Sequence, residues 1–296
     1  MDIVHHALIG GAGMIAAASA DQELIGLAFL GGSVLPDLDA LSIVVGKRFF
    51  LKNHQGITHS IFMAPLLAYI LICWPISFLP VELALFPIFL AALAGCLIHI
   101  VFDWLNTYRI QLFAPFSKRR FSMDAVFFID TFTILLTCLF YVLHFFLKID
   151  GGYWWYPVSF LLYFLLKAKL QKFVKRKLQC QYVIPCALNP FGFLVLDEGD
   201  EEAVCFRYNA LVGKKTDFVR YPIVSEVVLK MARKSQVFID MEAVCRALRI
   251  TKIDATEVGI AIHAKDLAVR NFGGKFGMTR IRFDKEGRLI DEMANI

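Results

Sequence analysis

Charge is what this sequence has least of. Asp, Glu, Lys and Arg together make up 19% of its 296 residues, where an ordinary soluble domain carries about 25%. That shortage argues against an all-soluble enzyme. No C-x-x-C occurs among the seven cysteines; the odd, scattered set reads as reduced thiols facing a cytoplasm. No basic segment precedes the first apolar stretch, where Asp2, His5 and His6 stand instead, so the N-terminus does not read as a signal peptide. Internal repeats and low-complexity segments are absent too. No RNA- or DNA-binding signature is present. The net charge of +5 fits membrane orientation and anionic headgroups better than nucleic acid.

In place of charge there is apolar surface. The chain is 58% hydrophobic and 14% aromatic with 28 Phe, and its mean hydropathy is +0.60. The long apolar runs fall in the first 170 residues or so, and the remainder has the composition of a soluble domain. The predicted fold is an α-helical integral membrane domain with about six membrane-embedded helices over residues 1–175, followed by a soluble, cytoplasmic α+β domain over 176–296. Helices are predicted over 3–19, 23–35, 59–79, 84–104, 124–147 and 153–170. The first two are shorter than the ~20 residues a straight span needs. Tyr153, Trp154, Trp155 and Tyr156 open the sixth as an interfacial aromatic belt. The GGAG run at 10–13 follows no strand and is read as a site of close helix packing.

Charge asymmetry orients these helices. One side collects Lys47, Arg48, Lys52, Arg109, Lys118, Arg119, Arg120 and the basic tail from Lys167 to Lys177; the other holds Lys148 with Asp21, Glu23, Glu82 and Asp150. The positive-inside rule puts the basic side in the cytoplasm.

Ionisable groups within or beside apolar helices are costly and call for a reason. Here His6, Asp37, Asp39, His54, His59, His99, Asp103, Asp124 and Asp130 all fall on the cytoplasmic side of an up-and-down topology. His99 and Asp103, four apart, share one helix face. Imidazole nitrogens and carboxylate oxygens together suit Zn, Mn or Fe. Their number exceeds one tetrahedral shell, which favours two ions and leaves some acids to hold ligand imidazoles by the second nitrogen. Taken singly, each piece has an ordinary explanation. The LPDLD segment can be a helix-ending turn, His99 and Asp103 a hydrogen-bonded pair, Thr58 or Ser60 a helix cap, and Asp124 a helix-start acid. Their convergence on one side carries the inference. His5, turned about 100° from His6, is read as a non-ligand, and His144 and His263 as structural.

The stretches MDIVHHAL, GSVLPDLD, HQGITHS and LIHIVFDWLNTYRIQLFAPFSKRRFSMDAVFFID, in that order, resemble the YdjM-type family of inner-membrane, metal-dependent hydrolases. The resemblance implies a membrane-bound hydrolase similar to zinc-dependent phospholipase C enzymes. It places the family's motif residues on His6, Asp37, Asp39, His54, His59, His99, Asp103, Asp124 and Asp130. Gln55 stands where the family has Arg, removing a phosphate-binding cation, Arg109 replaces a Gly, and Thr131 replaces a Pro. The family's link to a transcriptional repressor implies a protein partner.

The expected chemistry is metal-assisted hydrolysis at the membrane face. Asp39 or Asp130 is the expected general base, and Arg109, Arg119 and Arg120 the expected binders of an anionic headgroup on a lipid or lipid-like substrate. The alternative is a membrane-anchored interaction protein with a structural metal, whose C-terminal domain binds a cytoplasmic partner.

Overall fold

A computed structural model describes residues 2–78, 84–149, 152–180, 182–199, 202–245, 247–257, 259–271 and 277–295. The predicted loop acids Glu82 and Asp150 lie outside the described residues. The chain forms two compact units, one of Met1–Ser42 with Asn53–Leu166, the other of Ile43–Lys52 with Lys167–Ile296. The second unit thus begins nine residues before the predicted boundary and takes in an earlier excursion.

In the first unit, α1 (Ile3–Ala18) starts on Asp2, whose side chain accepts the His5 N–H. Next, α2 (Glu23–Val34) continues into a 3-10 helix, Leu35–Val44, at Pro36. Pro36 cannot donate to the preceding turn. A short helix, α3 (Lys47–Asn53), and a 3-10 turn at Ile57–His59 lead into a composite helix. It comprises α4 (Ala64–Ala68), a π-helical turn (Tyr69–Cys73) and α5 (Trp74–Ile76). Then come α6 (Leu85–Leu105), α7 (Thr131–Phe145) and α8 (Trp155–Leu178). The chain of α8 passes from the first unit into the second at residue 167.

The expectation of six membrane-embedded helices is corrected. Among the described residues two helical segments are long and apolar enough to cross a bilayer, Glu23–Val44 and Leu85–Leu105, or three if Phe49–His59 and Ala64–Ile76, bent by 89° at their junction, form one broken span. α1 and α7, at 16 and 15 residues, extend about 24 Å at 1.5 Å per residue, short of the ~30 Å hydrocarbon core. α8 is long, but its second half carries Lys167, Lys169, Lys172, Lys175, Arg176 and Lys177. The predicted helix at 124–147 starts seven residues late. Asp124 has φ +55, a left-handed conformation no helix interior accepts, and Asp130 is the extended cap of α7.

Glycine sets the closest helix contact. A Cβ on Gly32 of α2 would overlap the backbone carbonyl of Ala92, and one on Gly95 of α6 would overlap the Phe29 carbonyl and Ser33 nitrogen. α2 and α6 therefore touch backbone to backbone, with Ala28, Ala92, Cys96 and Ile100 buried around them. Gly10 and Gly13 likewise admit Ser33 and Phe29, the close packing read from the GGAG run. Ile9, Ala12, Leu136, Phe140, Tyr156 and Phe160 form a second core joining α1, α7 and α8.

The second unit, expected as α+β, is a two-sheet β domain with two short helices. β1 (Tyr182–Pro185), β2 (Gly192–Glu198), β3 (Glu202–Asn209) and β4 (Lys215–Pro222) make one antiparallel meander. β5 (Leu248–Thr256), β6 (Gly259–Asp266), β7 (Met278–Asp284) and β8 (Leu289–Asn295) make another. α9 (Glu226–Ala232) and α10 (Gln236–Val244) connect them, each capped by a serine hydroxyl. Phe193, Val195, Phe206 and Tyr208 pack with Val174 of α8. β4 is exposed along nearly its whole length and has no hydrophobic alternation to reveal it. None of the seven cysteines forms a disulfide, and burial pushes the Cys186 and Cys205 thiols up, which keeps them protonated and unreactive.

Candidate metal centre

Four of the predicted residues meet at one point. Asp37 comes from the 3-10 turn after Pro36, His59 from the turn that precedes α4, and His99 and Asp103 from successive turns of α6. All four are buried, and each offers one ligand atom within 4.8 Å of the others. His59 Nε2 lies 3.1 Å from Asp103 Oδ2, 3.2 Å from His99 Nε2 and 3.4 Å from Asp37 Oδ1. His99 Nε2 is 3.5 Å from Asp37 Oδ1 and 3.7 Å from Asp103 Oδ2. A tetrahedral ion with bonds near 2.0–2.1 Å has ligand edges of ~3.3–3.4 Å, and these distances bracket that value.

The hydrogen bonds of the outer ring nitrogens bear on what the centre can hold. His99 Nδ1 is 2.7 Å from the Ser33 carbonyl. A carbonyl only accepts, so Nδ1 carries the hydrogen, and in the neutral ring Nε2 presents its lone pair. Thr58 donates its hydroxyl to Asp39 at 2.6 Å, which leaves its oxygen to accept from His59 Nδ1 at 3.1 Å. In a neutral ring His59 Nε2 then offers a lone pair as well. The two Nε2 atoms face each other beside two carboxylates, and all four side chains are buried. A cation placed among them meets both nitrogens and both carboxylates. Asp37 Oδ2 is buried with no hydrogen-bond partner among the described residues, a further sign of a missing positive charge. The donor set therefore fits a divalent ion. It does not distinguish Zn from Mn or Fe, since two nitrogens and two oxygens suit all three.

The other predicted residues surround this group. Asp39 accepts from His54 Nδ1 at 2.7 Å, from the Gln55 N–H at 2.9 Å and from Thr58, and approaches His59 Nδ1 at 3.3 Å. It orients the imidazoles from behind. His54, 27% exposed, is the solvent-facing end of that chain. His6 stacks on His99 with ring centroids 3.6 Å apart, and its Nε2 lies 3.1 Å from Asp103 Oδ1, the oxygen turned away from the cluster. Asp124 accepts from Ser122. Asp130 caps α7 through the Thr133 N–H and takes the Tyr163 hydroxyl on both oxygens, at 2.9 and 2.8 Å. Among the described residues one such four-residue group is present, where the sequence reading favoured two ions.

The arginines separate as well. Arg120 donates to the carbonyls of His54, Gln55 and Arg109 at 3.1–3.3 Å, which clamps the loop that leads to His59. Arg119 lies over the Phe121 ring at 5.2 Å. Three contributors went unforeseen. Ser33 acts through its carbonyl, so no side-chain pattern marks it. Thr58 reads as a cap in sequence. Gln55, read as the loss of a cation, is buried with φ +55 and points its amide at Asp103 Oδ2, 3.4 Å away.

Two results follow for the surrounding residues. Asp39→Asn, which turns an acceptor into a mixed donor, is expected to lower metal affinity by ~10–100-fold, read by titration of chelator-stripped protein. Tyr163→Phe removes the hydroxyl shared between the two oxygens of the buried Asp130 carboxylate and is expected to cost about 1–3 kcal/mol, read as a lower melting temperature with metal content unchanged.

Similarity to known proteins agrees with this placement. The chain is 26% identical over 160 residues to the "Uncharacterized protein YfhP" of Bacillus subtilis (strain 168), an overlap of 51% of this chain and 46% of that protein. It thus spans about half the length of that curated relative. No solved structure matches it. Residues 1–173, which carry the whole metal centre, match the family described as "YdjM inner membrane protein"; the chain belongs to that family.

Proposed function

We propose that this protein is a metal-dependent hydrolase of the inner membrane that acts on a phosphoester or ester of a lipid or other amphiphile. The observation that carries the reading is the pair of facing imidazole Nε2 atoms of His59 and His99, 3.2 Å apart, grouped with the Asp37 and Asp103 carboxylates. Mixed nitrogen–carboxylate sets are typical of hydrolytic centres, whereas structural zinc is held mainly by cysteine. A divalent ion, when bound, supplies Lewis acidity and eases deprotonation of water at neutral pH. The chain's own residues supply the rest. Asp37, His59, His99 and Asp103 hold the ion. Asp39 and His54 form a carboxylate–imidazole pair with one end in solvent, suited to accept and pass on a proton. Asp39 already receives three donors, so it acts through His54. Asp130 positions α7, and Asp124 shapes the loop before it. Arg109 and Arg119, which form no ion pair among the described residues, are the cations for an anionic headgroup. The excess of Lys and Arg on one side in the sequence supports a cytoplasmic position for the centre and for the C-terminal domain.

Metal analysis of the purified protein tests this first. About one equivalent of transition metal is expected per chain, and stripping it with a chelator is expected to lower the melting temperature, because a ligand that binds only the folded state stabilises it. A screen of phospholipids and phosphodiesters should then find an activity lost in Asp103→Ala. Metal-free wild type would sink the proposal.

One observation favours a second reading, a structural metal in a membrane-anchored interaction protein. His59, His99 and Asp103 are fully buried and Asp37 is 4% exposed, and four protein ligands close a tetrahedral shell that catalysis needs open. A metalloprotein inert in the screen, whose cytoplasmic partner binds through residues 176–296, would decide for it.

A further inference from the structure

The loop between α6 and α7 has a composition the metal centre does not explain. From Trp104 to Met123 it contains Arg109, Lys118, Arg119 and Arg120 and no acid. Phe113 and Phe116 stand out from it at 36% and 80% exposure, and Phe62, at 51%, joins them from the segment after His59. The Phe62 ring lies 5.1 Å from Phe116, edge to face, and 6.5 Å from Phe113. Lys118 and Arg119 are exposed and form no ion pair among the described residues. The cluster is fastened to the ligand-bearing segment: Ile61 N–H donates to the Leu112 carbonyl at 3.2 Å, Gln111 N–H to the Gln55 carbonyl at 3.0 Å, and the Ser60 hydroxyl to Ala114.

We propose that this aromatic and basic loop is an interfacial anchor, seated among the headgroups of an anionic leaflet beside the metal centre. The chemistry admits few other places. Three exposed phenylalanines on a polar loop belong in neither water nor a solvated surface patch. The backbone here is irregular, with one isolated bridge between Ile110 and Phe121, and irregular backbone facing lipid cannot lie in the hydrocarbon core. The interface satisfies both requirements, since rings reach the acyl boundary while water still reaches the peptide groups. Unpaired Lys118 and Arg119 then meet anionic headgroups, and that charge complementarity selects a lipid surface over a second copy of the chain, which would bring the same cations against each other. Contact with the leaflet holds whether or not the centre hydrolyses anything, so its test reads depth and not turnover.

Trifluoromethyl-phenylalanine placed at position 116 of the full chain, in nanodiscs of phosphatidylcholine with phosphatidylglycerol, gives one fluorine NMR signal. A lipid carrying a doxyl label near its headgroup is expected to broaden that signal at least about threefold more than a water-soluble gadolinium chelate. Broadening by the chelate alone would place Phe116 in water, and broadening by neither would place it in a protein contact; either overturns the anchor. In the Lys118→Glu, Arg119→Glu double variant, phosphatidylglycerol retained through purification is expected to fall severalfold relative to phosphatidylcholine. Unchanged retention in a folded variant overturns the role of the charges.

Discussion

His99→Ala is expected to empty the metal centre, with bound metal falling from about one equivalent to under about a tenth of one. An outer partner of a ligand is worth ~10–100-fold in affinity, and His99 is a direct ligand in the proposed shell, so its loss exceeds that range. The imidazole also lies 3.5 Å from Asp37 Oδ1 and stacks on His6. Alanine leaves two carboxylates and one imidazole around a void, and both acids are then free to take up protons. Elemental analysis of wild type and variant, purified side by side, is the measurement. His144→Ala is the control: its ring contacts Tyr153 and Phe145, away from the centre, and metal content is expected to stay at the wild-type level.

The second large effect is expected at Gly95. Alanine there meets the Phe29 carbonyl and the Ser33 and Gly32 backbone, none of which can rotate aside as a side chain would. Ordinary overpacking costs about 1–3 kcal/mol; a backbone collision on two crossing helices should exceed it. The helices must part, and parting carries Ser33 away from His99 and Asp37 away from Asp103. Gly95→Ala is therefore expected to lower the melting temperature and the metal content together. Leu90→Ala, on the same helix but 46% exposed, should change neither by much. A variant that kept full metal content while melting early would show that the helix contact and the centre are independent.

How much of this was legible in the sequence follows the kind of interaction involved. His99 and Asp103 share a helix face by simple periodicity, and Asp37 and His59 flank apolar runs, so four side chains could be nominated. Their meeting point is a property of the α2–α6 crossing, which depends on Gly32 and Gly95, residues no ligand pattern includes. Asp130 was nominated with them because its type and neighbourhood are the same. Its carboxylate instead receives Tyr163, thirty-three residues away, a contact no local pattern announces. The count of spans failed for a related reason. Apolar composition marks a helix that avoids water, yet it does not fix where the helix starts and stops, and α1 and α7 are apolar but only 16 and 15 residues long. In the C-terminal unit, β3 and β7 alternate buried and exposed residues, the pattern a strand shows in sequence, and β4, exposed throughout most of its length, has no such pattern.

The Ser33 carbonyl that holds His99 has a consequence for anyone who would move this centre elsewhere. A main-chain oxygen travels with no side chain, so copying Asp37, His59, His99 and Asp103 onto another scaffold transfers the donors without their aim. The smallest transplantable unit is the pair of crossing helices with both glycines, together with the turn that carries Asp37 and the segment that carries His59. A designer who begins from the four ligands alone should expect imidazoles that rotate freely and a site that binds metal loosely, in whichever tautomer the new surroundings prefer.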